Sequence, residues 1–273
     1  MSDLSRLSIN QATVRSWSVP ELLDGAAAAG LGGVGLWREP VQELGVDKAA
    51  ALVRASGLQV TSLCRGGFFT AEGEAGRRAI ADNRAAVDEA AELGTDVLVL
   101  VSGGVPEGSR DLNGARSRVL DAIGELVPHA QAAGVRLAIE PLHPMFCSDR
   151  CVVSTLGQAL DIAEQFPADA VGVVVDAYHV WWDPDVENAI ARAGDRILSW
   201  QVCDWVTPLP AGVLMGRGMM GDGCIDVRRL GTAVQAAGYD GLVEVEIFND
   251  ELDRRPGGEV LDLVIQRYLQ HVE

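Results

Sequence analysis

Regular alternation constrains this chain more than any other feature of its sequence. Short apolar runs rich in β-branched residues are each followed by a longer Ala/Leu-rich stretch with helical spacing. Eight runs occur, at residues 7–9, 33–37, 59–63, 96–101, 135–139, 171–175, 197–202 and 242–247. Several are continuously apolar, the pattern of strands buried on both faces of a parallel sheet. Helices are expected at 19–29, 47–55, 75–93, 115–133, 155–165, 185–193, 227–237 and 258–272. The first has Ser18 as N-cap, Pro20 at its start and Glu21 three residues after the cap. Ala29-Gly30, Ala133-Gly134 and Ala237-Gly238 repeat one phrase, a glycine closing a helix before the next strand. Eight strands alternating with eight helices predict an α/β protein, a single (β/α)₈ TIM barrel over residues 1–273. An open doubly wound sheet is the competing arrangement. It often carries a glycine-rich turn after its first strand, where this chain has Asn10-Gln11-Ala12-Thr13.

Charge narrows the partners. The chain has 22 Lys and Arg against 39 Asp and Glu, a net charge of −17, and no long basic run. That balance argues against nucleic-acid and anionic-membrane partners. No apolar stretch is long enough to span a bilayer, and the first ten residues lack a signal-peptide pattern, so a cytoplasmic location is expected. Five scattered cysteines without a CxxC pair are expected to be reduced thiols.

In such a barrel, chemistry sits at the C-terminal ends of the strands. Strand five ends in Glu140 and is followed by His143. Strand six ends in Asp176 and is followed by His179. Strand seven carries Gln201, and strand eight carries Glu244 and Glu246. Carboxylates converging there would repel one another unless a cation separates them. Glu140, Asp176 and Glu246 are therefore the expected metal ligands, with the Gln201 amide oxygen as the fourth. An all-oxygen set favours Mn²⁺, Mg²⁺ or Ca²⁺ over Zn²⁺. Glu244 points the same way as Glu246 but lies deeper, which suits an acid of the barrel layers. His143, Trp182 and Arg65, in the loops after strands five, six and three, are candidate substrate contacts. Each also has an ordinary structural role open to it: a packed side chain, a lid or a turn.

Five segments carry a family resemblance: AIEPLHP from Ala138, VDAYHVWWDP from Val175, QVCDW from Gln201, RGMMGDG from Arg217 and EVEIF from Glu244. Together they resemble the xylose-isomerase-like barrels, which include sugar isomerases, ketose 3-epimerases, inosose dehydratases and type IV apurinic endonucleases. The resemblance spans essentially the whole chain. It implies one divalent metal ion, Mn²⁺ or Mg²⁺, on Glu140, Asp176 and Glu246. The family's strand-seven histidine is replaced here by Gln201, a weaker donor. His179 and Arg217 fall on the family's substrate-contacting histidine and arginine. The implied activity is an isomerase or epimerase acting on a sugar or cyclitol. One of Glu140 and Glu246 would remove a proton beside a carbonyl, through a metal-bound enediolate, and a proton would be returned by the other or to the adjacent carbon. A dehydratase of a keto-sugar or inosose is the alternative, and a non-catalytic or subunit role comes third. A zinc-cluster endonuclease is disfavoured, because the chain has only four His. The resemblance implies a small-molecule partner and leaves a homodimer or tetramer open.

Overall fold

The structure is a computed structural model that describes residues 3–210 and 212–273. Its strands are β1 (Leu7–Asn10), β2 (Gly33–Trp37), β3 (Gln59–Gly67), β4 (Val97–Val101), β5 (Arg136–Glu140), β6 (Val171–Asp176), β7 (Ile197–Val202), β8 (Asp204–Trp205), β9 (Arg217–Gly218) and β10 (Val243–Val245). Strands β1 to β7 and β10 close a barrel whose neighbouring strands all run parallel. Strands β8 and β9 form a separate antiparallel ribbon. The helices are α1 (Val19–Ala29), α2 (Arg38–Leu44), α3 (Val46–Ser56), α4 (Gly73–Leu93), α5 (Leu112–Ala133), α6 (Leu156–Ala163), α7 (Ala177–Val180), α8 (Val186–Ala193), α9 (Val227–Ala236) and α10 (Gly257–His271).

Local chemistry sets these boundaries. The Glu21 carboxylate accepts from the Ser18 backbone N–H at 2.8 Å and from its hydroxyl at 2.7 Å, tying down the start of α1. Gly30 closes the same helix at φ 76°, a left-handed conformation costly for residues with a Cβ. All eight expected strands and helices are present. Helices α2 and α7 were not anticipated. Helix α2 buries only Arg38 and Val41, too short a stripe to give a periodic signal. Helix α7 is a single turn whose start is held by the Asp176 carboxylate, which accepts the Tyr178 N–H at 2.8 Å.

Two apolar layers result from strand alternation. Leu98 and Leu100 of β4 point outward and belong to the cluster that also holds Ile123 and Leu126 of α5. Full burial of each such side chain contributes about 1.5–3 kcal/mol. Val97, Val99, Ala138, Val174, Leu198 and Cys64 form a smaller cluster of their own, capped by Trp37. Two residues beyond Ala138 and Val174, the same alternation aims Glu140 and Asp176 inward at the chemistry end.

A buried polar layer sits among the inward residues. Glu244 accepts hydrogen bonds from Asn10 Nδ2 at 2.6 Å, from the Thr61 and Ser62 hydroxyls, and from Gln201 Nε2 at 3.2 Å. Gly35 makes room for it, since a Cβ there would stand 2.5 Å from Glu244 Oε1. All five cysteines are free. Among the described residues, no helix is long and apolar enough to cross a membrane.

Candidate active site

Register places the polar residues side by side. Asp176 on β6 pairs with Gln201 on β7, which pairs with Glu244 on β10. Glu246, two residues further and just past the end of β10, projects to the same side. Arg217 of β9 reaches into this group. Its Nη1 lies 3.0 Å from Asp176 Oδ2 and 3.2 Å from Glu246 Oε2, and its Nη2 lies 3.1 Å from His179 Nε2. The guanidinium also lies over the rings of Tyr178 and Phe248, at 4.6 and 4.8 Å from their centroids. His179 Nε2 is 3.6 Å from Asp176 Oδ2 and 3.9 Å from Glu140 Oε1.

Burial dominates the electrostatics. It raises the Glu140 pKa well above the usual carboxylate range, and the charges of Glu246 and Asp176 push it further. Burial likewise pushes Glu246 up to about 8, with Arg217 opposing. Asp176 is raised by burial and held back by Arg217. Burial and the Arg217 charge keep His179 neutral by lowering its pKa well below the ordinary value. Its Nδ1 faces the His143 N–H at 3.1 Å while Nε2 faces Arg217. A neutral ring has one acceptor nitrogen, so it accepts from one of the two donors at a time.

These shifts predict a pH-dependent stability. A carboxyl with a higher proton affinity in the folded state favours folding at low pH and opposes it at high pH. The Glu246 value rises from 4.5 to about 8 on folding, so chelator-treated protein should lose stability as pH climbs through that window. One proton corresponds to about 1.4 kcal/mol per pH unit. Urea unfolding at about pH 5.5 and about pH 8 measures it. Stability that rises across the interval would contradict the assignment.

A cavity of about 260 Å³ opens onto this group and is lined by both Glu140 and Glu246, with Arg65 and Arg217 among the other walls. Asp176, His179 and Gln201 are buried and are not part of its lining. Nor are His143 and Trp182. Trp182 donates from Nε1 to the His179 carbonyl at 2.8 Å, and its ring meets the His143 ring edge-on at 5.4 Å. Trp182 therefore packs against His179, and the His143 ring packs on Trp182 and Trp205. Arg65 lies on β3, which continues through Gly67 where a loop was expected. Arg150, one of the few positive loop groups in the sequence along with Arg65 and Arg217, lines the cavity, and so does Arg15, which sequence reasoning missed. The Asp204 carboxylate accepts the backbone N–H groups of Trp205, Gly221, Gly223 and Ile225 at 2.8 to 2.9 Å, shaping the loop that follows Arg217.

The family model described as xylose isomerase-like TIM barrel matches residues 23–266. The chain belongs to that family. Inosose isomerase of Bacillus subtilis is 29% identical over 136 residues, covering 48% of this chain and 47% of that protein. The 3-dehydroshikimate dehydratase of Pseudomonas aeruginosa is 29% identical over 252 residues, covering 88% of this chain and 38% of that protein. The chain thus spans less than half the length of these curated relatives. Among solved structures, protein SMc04130 of Sinorhizobium meliloti 1021 is 50% identical, with a TM-score of 0.96 over 99% of both chains. The IolI protein with a bound zinc atom shares the fold at 22% identity, with a TM-score of 0.84 over 98% of both chains.

In this xylose isomerase-like barrel the donors fit a divalent cation. Ligand atoms of Glu140, Asp176 and His179 all lie within 4.8 Å of one another, a grouping that takes in two of the expected ligands and adds His179 in place of Glu246. Gln201 donates its Nε2 to Glu244, which leaves its Oε1 buried without a partner. A buried acceptor left unpaired is costly, and a cation beside Asp176 would relieve it. Among the described residues, Arg217 is the only Lys or Arg side chain within ion-pairing distance of Asp176 or Glu246.

Proposed function

We propose that this family member moves a proton next to the carbonyl of a hydroxylated ketone, as a divalent-metal-dependent isomerase or epimerase of a sugar or cyclitol. Two buried carboxyls that open onto one cavity carry the proposal. Burial, and then the charges of Glu246 and Asp176, raise the proton affinity of Glu140, so ionising one of these carboxyls makes the other hold its proton more tightly, the coupling an acid/base pair uses. Glu246 takes the proton from carbon, and Glu140 delivers one to the same or the adjacent carbon. Arg217, with the neutral His179 against its Nη2, faces the oxygen on which negative charge develops. Glu140, Asp176, Glu246 and the Oε1 of Gln201 would hold Mn²⁺ or Mg²⁺. When bound, the ion supplies Lewis-acid polarisation of the carbonyl.

A dehydratase is the second candidate, and one observation favours it. The match to 3-dehydroshikimate dehydratase runs across 88% of the chain, whereas the match to inosose isomerase runs across 48%. In that case Glu140 would protonate a departing hydroxyl once Glu246 has removed the neighbouring proton.

Mn²⁺-loaded protein should incorporate solvent deuterium into a ketose, inosose or 3-dehydroshikimate, followed by NMR. Deuterium in recovered ketone or its epimer assigns an isomerase. A new ultraviolet-absorbing unsaturated product assigns a dehydratase. Neither outcome across the panel would remove the proton-transfer proposal. Mn²⁺ should also stabilise chelator-treated protein, and Gln201→His should bind it about tenfold more tightly, since imidazole is the stronger donor. Unchanged or weaker binding would remove Gln201 as a ligand.

A further inference from the structure

Charge on the cavity wall runs against the charge of the chain. The whole sequence carries −17, yet the cavity is lined by four arginines, Arg15, Arg65, Arg150 and Arg217, and by only two acids, Glu140 and Glu246. Arg217 is occupied by Asp176 and Glu246. Arg15 has Asp253 at 3.8 Å. Among the described residues, Arg65 and Arg150 have no carboxylate within ion-pairing distance, in a chain with 39 acids to offer.

Arg65 is also held in place. Its guanidinium carbon lies 4.6 Å from the Phe68 ring centroid and 5.8 Å from that of Trp37. Its Nε is buried and has no acceptor. Stacking fixes the plane of a guanidinium while leaving its edge donors free, the arrangement that recognises a planar anion in two-pronged fashion. Unpaired positive charge around a cavity draws in and retains anions.

We infer that Arg65 and Arg150 form an anion-holding subsite, and that the substrate is a hydroxylated ketone bearing an acidic group, a carboxylate or a phosphate. The inference deepens the proton-transfer proposal above by naming the class of molecule that fills the same cavity. The acidic group docks on Arg65 and Arg150, within the cavity that Glu140, Glu246 and Arg217 also line.

Calorimetric titration of the Mn²⁺-loaded protein tests this without turnover. Two probe pairs share a skeleton and differ in charge: shikimate with its methyl ester, and fructose 6-phosphate with fructose. The charged member of at least one pair should bind about tenfold or more tightly, and Arg150→Gln or Arg65→Gln should cancel most of that preference. Preference in the first pair assigns a carboxylate, and in the second a phosphate. Equal binding within both pairs, or a preference that survives both substitutions, would overturn the subsite. If Arg65→Gln fails to fold, Arg150→Gln, at a half-buried loop position, carries the test alone. Deuterium exchange into neutral ketoses without any anion preference would sink the subsite and spare the catalytic proposal. Anion preference without exchange on any ketone would do the reverse.

Discussion

Glu246→Gln should reduce solvent-proton exchange by about 10³- to 10⁴-fold, the upper range for a single general base. The amide keeps the volume of the side chain and can still accept from Arg217 Nη1, which lies 3.2 Å from Glu246 Oε2. It removes the group that picks up a proton from carbon and leaves one amide oxygen as a metal donor, so Mn²⁺ binding is measured alongside exchange. The protein should fold normally, because a buried carboxyl with a pKa of about 8 is already largely uncharged at neutral pH. Loss of exchange with an unchanged melting temperature therefore separates a chemical role from a structural one. Exchange within about tenfold of the parent rate would take Glu246 out of the mechanism.

Arg217→Met should show the opposite pattern, a loss of stability that depends on pH and on metal. The guanidinium is 2% exposed and touches both Asp176 and Glu246. Removing one partner of a buried ion pair typically costs about 3–5 kcal/mol, since the remaining charge is left uncompensated. The cost should be largest at high pH, where the acids ionise, and should shrink at about pH 5.5, where they hold protons. Mn²⁺ should restore more stability to the variant than to the parent, because a cation beside Asp176 and Glu246 replaces the missing charge. Denaturant unfolding with and without Mn²⁺ measures both effects. A variant as stable as the parent at about pH 8 would show that Arg217 does not compensate these acids.

The barrel was legible because its strands are buried on both faces. The runs at 33–37 and 197–202 match β2 and β7 residue for residue, and the second does so although Ser199 and Gln201 interrupt its apolar residues. The inward carboxylates were legible for the same reason, since each follows an apolar run. What could not be read was pairing across distance. Thr61 and Glu244 meet although 183 residues separate them, and Arg217 and Asp176 meet across 41. No local pattern encodes such contacts. Short-range geometry misled in one place. Trp182 lies three residues after His179 and was expected at the substrate, but the turn of α7 brings its indole back against the His179 carbonyl. Among the described residues Arg150 has no acid within ion-pairing distance, a feature that shows only in three dimensions.

The Asp204 carboxylate, with its four backbone donors, has a consequence for how this barrel can diversify. Arg217 is fixed from beneath. Its backbone N–H donates to the Phe248 carbonyl at 3.2 Å, its carbonyl accepts from Asn249 Nδ2 at 2.9 Å, and its strand pairs with Trp205. Asp204 knots the chain on the far side of that arginine. The hairpin joining Trp205 to Arg217 is thus held at both ends, and it touches the site through the Val213 carbonyl, which accepts the hydroxyl of Tyr178, the ring under the guanidinium. Away from that contact its residues can vary while both anchors keep Arg217 in place, so one set of buried charges can be presented beneath different rims.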